Sequence, residues 1–256
     1  MRVRKKIASL VAGAICAVLL TACGSMEDNT RLSRYTLVVG IDVSGSFRST
    51  GNFGNAIEFA ANYIYCHLNG LGELRQPTAL FVGPVGGSQP GEAQSYQPIH
   101  AFQNKSVDEI AAMLTEQFPA DDALTDFNVF FDRVASLVQR HNLVLSPLDI
   151  VIFSDGIHDV PGQSGGEEGP YHLINLDPLE YLSRSVTVRL LYASPTVSVD
   201  WERKVERQRV RMWTVDAQVM GGWKDQLVPD LELDVQENLL TWINENVDFR
   251  VRSRRF

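Results

Sequence analysis

The chain has 256 residues, with 23 Lys and Arg against 31 Asp and Glu, a formal charge of −8 and 45% hydrophobic residues. That is the composition of a globular protein with a sizeable core, and its acidic balance argues against a nucleic-acid binder. Three cysteines, Cys16, Cys23 and Cys66, exclude a disulfide-stapled scaffold.

In chain order, Arg2, Arg4, Lys5 and Lys6 precede an uncharged apolar stretch from Ile7 to Leu20. The stretch is too short for a mature membrane span but suits a signal h-region. Leu20-Thr21-Ala22-Cys23 follows, and small residues before a cysteine resemble the lipobox of bacterial lipoproteins. That resemblance implies cleavage after residue 22 and acylation of Cys23, with stable anchoring from more than one acyl chain. Loss of residues 1–22 leaves 234 residues and 19 basic against 31 acidic side chains, a balance of −12. Such a surface has no general attraction to anionic lipid, so membrane residence rests on the anchor. Gly24 follows the cysteine in place of an aspartate that would resemble an inner-membrane retention signal. The resemblance therefore places the protein in a bacterial cell envelope, on the periplasmic face of the outer membrane if the host is Gram-negative.

Residues 23–34 are polar and aperiodic, a short lipidated tether. Residues 35–41 form an apolar run expected to be a strand buried on both faces. A helix is expected at 54–69, stopped by Asn69-Gly70, then a strand at 78–82. Cys66 lies in that helical pattern as core filler. A Gly/Pro/Ser/Gln loop at 83–96 leads to a short edge strand at 97–102. Ser106 with Glu109 reads as a capping box. Residues 126–141 carry Phe127, Phe130, Phe131, Val134, Leu137 and Val138 at helical spacing, a core stripe.

A second buried strand is expected at 148–153, a long loop at 156–176 and a short helix at 178–183. Strands at 185–192 and 209–215 flank a charged helix at 197–207, and residues 231–247 close as a helix. Strands 35–41, 148–153 and 185–192 should be central and parallel. The alternation predicts an α/β fold, a doubly wound, mostly parallel sheet with helices on both faces. Residues 35–247 form one domain, followed by a basic tail at 248–256. Arg203, Lys204, Arg207, Arg209 and Arg211, interleaved with Glu202 and Glu206, read as a solvated ion-pair face.

Three segments carry chemistry. Asp42-Val43-Ser44-Gly45-Ser46 ends the first strand, Thr125 precedes a helix, and Asp155 follows the strand at 148–153. Loops at the carboxyl edge of an open α/β sheet are where ligands bind. In order and placement these segments resemble the metal-ion-dependent adhesion site of von Willebrand factor A domains. The resemblance covers roughly residues 35–247. It implies that Asp42, Ser44, Ser46, Thr125 and Asp155 surround a divalent cation, with one or both aspartates acting through water. An all-oxygen set suits Mg²⁺ (or Ca²⁺ or Mn²⁺) rather than zinc or copper. It also implies an envelope protein partner whose acidic side chain completes the cation's shell.

The threonine loop, Asp121-Asp122-Ala123-Leu124-Thr125-Asp126, has acids where many relatives have glycines. These either raise metal affinity or solvate the loop. Aspartyl-phosphate chemistry lacks its second acid, since Ser44 stands there, and neither a nucleophile elbow nor a phosphate loop occurs. His158, near Asp155, reads as a surface residue, and Asp42 as a solvent-facing loop residue. The chain is therefore expected to be a protein-binding module and not an enzyme. The alternatives are a metal-dependent envelope hydrolase or a structural domain with a degenerate site.

Overall fold

The computed structural model describes residues 35–86, 96–119, 124–162, 165–166 and 169–249. The signal segment, Cys23, the tether, residues 121–123 and the tail from 250 onward lie outside the described residues.

Six strands form one sheet: β1 (Thr36–Asp42), β2 (Ala79–Val85), β3 (Gln97–Pro98), β4 (Leu148–Phe153), β5 (Val186–Ala193) and β6 (Arg211–Asp216). Their order is β3-β2-β1-β4-β5-β6, parallel throughout except for β3. The strands expected to be central and parallel are so. The alternating pleat of β1 explains why its run is apolar at nearly every position. Leu37, Val39 and Ile41 enter the core on one face and Val38 that on the other. Gly40 leaves room for Phe130, whose Cζ stands 2.7 Å from where a Cβ would sit.

Helices cover both faces. On the first lie α1 (Gly45–Ser49), α2 (Phe53–Asn69) and α3 (Val107–Gln117), and on the second α4 (Phe127–Arg140). The stripe of α4 is buried as its spacing requires. Short α5 (Asp177–Glu180) and α6 (Pro195–Lys204) join α4, while α7 (Ala217–Gly221) and α8 (Glu237–Trp242) join the first face. Ser106 and Glu109 make the reciprocal capping box at α3. Cys66 is fully buried, and burial pushes its thiol up to about 12.

Four expectations shift. The edge strand stops at Pro98, whose missing N–H ends the ladder, and Ile99–Ala101 is a 3₁₀ turn. β2 runs on to Val85 because its buried pattern continues through Gly83 and Pro84. The closing helix begins at Glu237 and not at 231, because the Gln236 side chain takes up backbone groups of Val228 and Leu231. A π turn, Ile243–Val247, ends it. The packed body runs past 247: Asp248 accepts from Tyr63 and pairs with His67, and the Phe249 ring lies 4.3 Å from Trp213.

The basic cluster at 203–211 is only partly an ion-pair face. Lys204 pairs with Asp200 at 2.9 Å, Arg207 reaches the Glu202 and Val205 carbonyls, and Arg209 lies over the Tyr181 ring. The buried Glu180 carboxylate accepts the backbone N–H groups of Gln208, Arg209 and Val210, which fixes the approach to β6.

Candidate metal centre

All three chemistry-bearing segments meet at the carboxyl ends of β1 and β4. Asp42 is the last residue of β1 and is wholly buried, which corrects its reading as solvent-facing. Its Oδ1 accepts from the Ser44 backbone N–H at 2.9 Å and from the Thr125 hydroxyl at 3.3 Å. Its Oδ2 accepts from the Ser154 hydroxyl. Ser44 caps α1, taking the Phe47 N–H at 3.4 Å, and lies 3.1 Å from the Ser46 hydroxyl. The tight turn into a helix aims both hydroxyls at the same side.

Asp155 begins the loop after β4. Its Oδ1 accepts the Ile157 N–H at 3.0 Å, while Oδ2 is buried without a partner. Burial raises its pKa, opposed by the Ile157 N–H and the Ser46 hydroxyl. Burial likewise lifts Asp42 to about 6, against the hydrogen bonds of Ser154 and Ser44, with Asp155 adding repulsion. Asp42, Ser44, Ser46, Thr125 and Asp155 are thus one connected cluster with two carboxylates destabilised by burial.

Two glycines let the loops close. Gly86, past β2, has φ +79°, and a Cβ there would stand 2.7 Å from the Leu124 carbonyl oxygen. Gly156 has φ +77° and would press on Leu190 and Val197, while its carbonyl accepts the Trp201 indole N–H at 2.7 Å. The Asp159 N–H donates to the Thr125 carbonyl at 3.0 Å, tying the aspartate and threonine loops together. Behind α1, Tyr192 sits at a register shift in β5 with φ +78°, its ring 6.0 Å from Phe47. A bulky residue in that conformation is an outlier held by its surroundings. Here the holding contact is its hydroxyl, which donates to Asn55 Oδ1 at 2.7 Å.

Sequence reasoning missed Ser154. Its signal is visible in Phe153-Ser154-Asp155, a hydroxyl beside a site aspartate at a strand end, but the same residues are common in turns. His158 is 2% exposed with both ring nitrogens unpartnered, so it is not the surface residue expected. Burial holds its pKa below the ordinary histidine value. It packs beside Phe127, ring centroids 6.0 Å apart.

An all-oxygen cluster of two carboxylates and three hydroxyls, with one buried carboxylate oxygen lacking a donor, fits a hard divalent cation.

No family model and no curated protein matches the sequence. Solved structures do. The SpRpn10 VWA domain has a TM-score of 0.48 at 10% identity, over 84% of this chain and 96% of that one. The pilus adhesin SpaC from Lactobacillus rhamnosus GG, in an open conformation, has 0.48 at 12% identity, over 82% of this chain and 29% of its own. Proximal thread matrix protein 1 from the mussel byssus has 0.44 at 10% identity, over 82% and 47%. The chain therefore spans about half of the mussel protein and under a third of the adhesin.

Proposed function

We propose that the chain is a lipid-anchored envelope module that recognises a protein partner through a divalent cation held by Asp42, Ser44, Ser46, Thr125 and Asp155. The observation that carries this reading is the buried, partnerless Oδ2 of Asp155, set beside Ser46 in a cluster where the Ser44 N–H, Thr125 and Ser154 already donate to Asp42. A buried carboxylate oxygen without a donor costs roughly 1–3 kcal/mol or more, and a cation removes that cost.

The chain's own residues divide the work. Ser154 and the Ser44 N–H fix the Asp42 carboxylate, so it is presented in one orientation. Ser44, Ser46 and Thr125 offer neutral oxygens. A bound Mg²⁺, Ca²⁺ or Mn²⁺ would supply a Lewis-acidic centre for an external carboxylate, because three of the five protein groups carry no charge. Leu124 and Ile157, next to Thr125 and close to Asp155, are 45% and 38% exposed and give the site an apolar rim. A partner acid flanked by apolar residues suits that combination.

The test is calorimetric titration of the full chain with Mg²⁺, Ca²⁺ and Mn²⁺, paired with capture of envelope proteins with and without EDTA. Saturable cation binding lost in Asp155→Ala, and capture abolished by EDTA, are the expected results. Absence of cation binding overturns the reading.

A further inference from the structure

β5 reads Val186-Thr187-Val188-Arg189-Leu190-Leu191-Tyr192-Ala193, and all eight residues are buried. A lone cation in a central strand is costly unless it is paired and hydrogen-bonded. Arg189 is 4% exposed, yet its Nε and Nη1 have no acceptor. The nearest carboxylate oxygens are Asp248 Oδ1, 3.8 Å from Nε, and Asp149 Oδ2, 4.0 Å from Nη2. These are ion pairs beyond hydrogen-bond reach. Asp248 is also engaged elsewhere, since the Tyr63 hydroxyl donates to Oδ1 at 2.7 Å and His67 Nε2 lies 2.8 Å from Oδ2. The neighbouring acids therefore balance the charge of Arg189 without satisfying its donors.

The register explains where the guanidinium opens. Arg189 pairs with Val151 and Trp213, and one pleat toward the strand starts Thr187 pairs with Asp149 and Arg211. Arg189, Thr187, Asp149 and Arg211, together with Tyr35 and Asp248, line a cavity of about 590 Å³ at the amino edge of the sheet. That volume falls in the ~300–1,000 Å³ range of small-molecule pockets. The cation site is at the opposite, carboxyl edge, so the two readings are independent.

We propose that this cavity binds a small organic monocarboxylate whose carboxylate is gripped by Arg189. A guanidinium matches a carboxylate through short, charge-assisted hydrogen bonds. Asp149 and Asp248, each within 4.0 Å of Arg189, offset much of the positive charge that Arg75 and Arg211 add to the lining, which favours a single negative charge over a dianion such as phosphate. Leu74 and Phe249 supply apolar wall for the body of the acid.

The experiment titrates the full chain with phenylacetate, acetate and inorganic phosphate, following the Arg189 Nε–H resonance by NMR and affinity by calorimetry. Phenylacetate should shift that resonance downfield to saturation and bind at least tenfold more tightly than acetate. Phosphate should leave it in place. Arg189→Met should weaken phenylacetate binding at least tenfold with an unchanged circular dichroism spectrum. If that variant does not fold, the resonance in the unaltered chain carries the test, supported by Thr187→Val. An Nε–H resonance unmoved by phenylacetate, equal binding by Arg189→Met, or an equal response to phosphate overturns the proposal.

Discussion

The Ser154 hydroxyl donates to Asp42 Oδ2, joining the carboxyl ends of β1 and β4 across two adjacent parallel strands. The bond makes Asp42 part of the sheet's interior rather than a loop decoration. Under the proposed function Asp42 would also face a bound cation, which would link stability to metal occupancy in a measurable way.

Asp42 titrates at about 6 in the folded chain against 3.8 unfolded, because burial outweighs its hydrogen bonds. A raised folded value means that this stability contribution is full below pH ~3.8 and is lost as pH rises through ~6. Two units correspond to about 3 kcal/mol. Asp42→Asn removes the charge and keeps the shape. The metal-free variant should therefore gain on the parent by about 3 kcal/mol between pH 4 and pH 7 in denaturant titrations. Cation at a hundredfold excess over its Kd should restore about 2.7 kcal/mol to the parent and nothing to the variant. A stability gap that stays constant with pH would contradict the assignment.

Ser154→Ala tests the strand-to-strand bond directly. Removing the donor leaves Asp42 Oδ2 buried without its partner, at a cost of about 1–3 kcal/mol. It also removes a contact that lowers the Asp42 value, so protons should compete with cation at higher pH than in the parent. Cation affinity measured at pH 6 and at pH 8 should diverge more in the variant; an identical ratio would count against the role given to Ser154.

Much of this was legible in the residues. Near-continuous apolar runs at 35–41, 148–153 and 185–192 mark strands covered on both faces, because burial on two sides leaves no polar alternation. That the five candidate residues come together was legible from order and placement. Their burial was not, since Asp-x-Ser-x-Ser reads the same whether the aspartate faces water or core. Ser154 escaped for a related reason, since short polar residues at strand ends are ordinary turn formers, and the burial of His158 depends on packing against Phe127, which its loop position does not encode. The break of the final helix at Gln236 depends on side-chain contacts to Val228 and Leu231, which periodicity does not encode.

Gly86→Ala should uncouple site geometry from fold. The substitution strains a backbone at φ +79° and places a Cβ 2.7 Å from the Leu124 carbonyl oxygen. The cost to stability is about 1–3 kcal/mol. Because the clash falls on the residue before Thr125, cation affinity should drop by at least tenfold. Unchanged affinity would show that Thr125 does not contribute.

The anchor is tested by Cys23→Ala. Cys23 ends the h-region after small residues, and no other cysteine has that setting. Fractionation should find the variant unprocessed or released from the membrane fraction. Unchanged attachment would remove the lipid from the account of localisation.

The last prediction concerns Glu180, which takes no part in the cation site. Its 4% exposed carboxylate accepts three consecutive backbone N–H groups, from Gln208, Arg209 and Val210, just before β6. Alanine there strands the buried Val210 N–H, while the Gln208 and Arg209 donors sit on exposed residues. A buried orphan costs about 1–3 kcal/mol, so Glu180→Ala should lose about that much. Glu180→Gln keeps one accepting oxygen and should lose less. Since β6 lies two strands from β4, cation affinity in the folded Gln variant should match that of the parent within about twofold, in line with the additivity of distant sites. Hydrogen exchange of residues 208–216 should quicken in the same variant while that of β1 and β4 stays slow. Uniform quickening across the sheet would mean that Glu180 supports the whole domain rather than its edge.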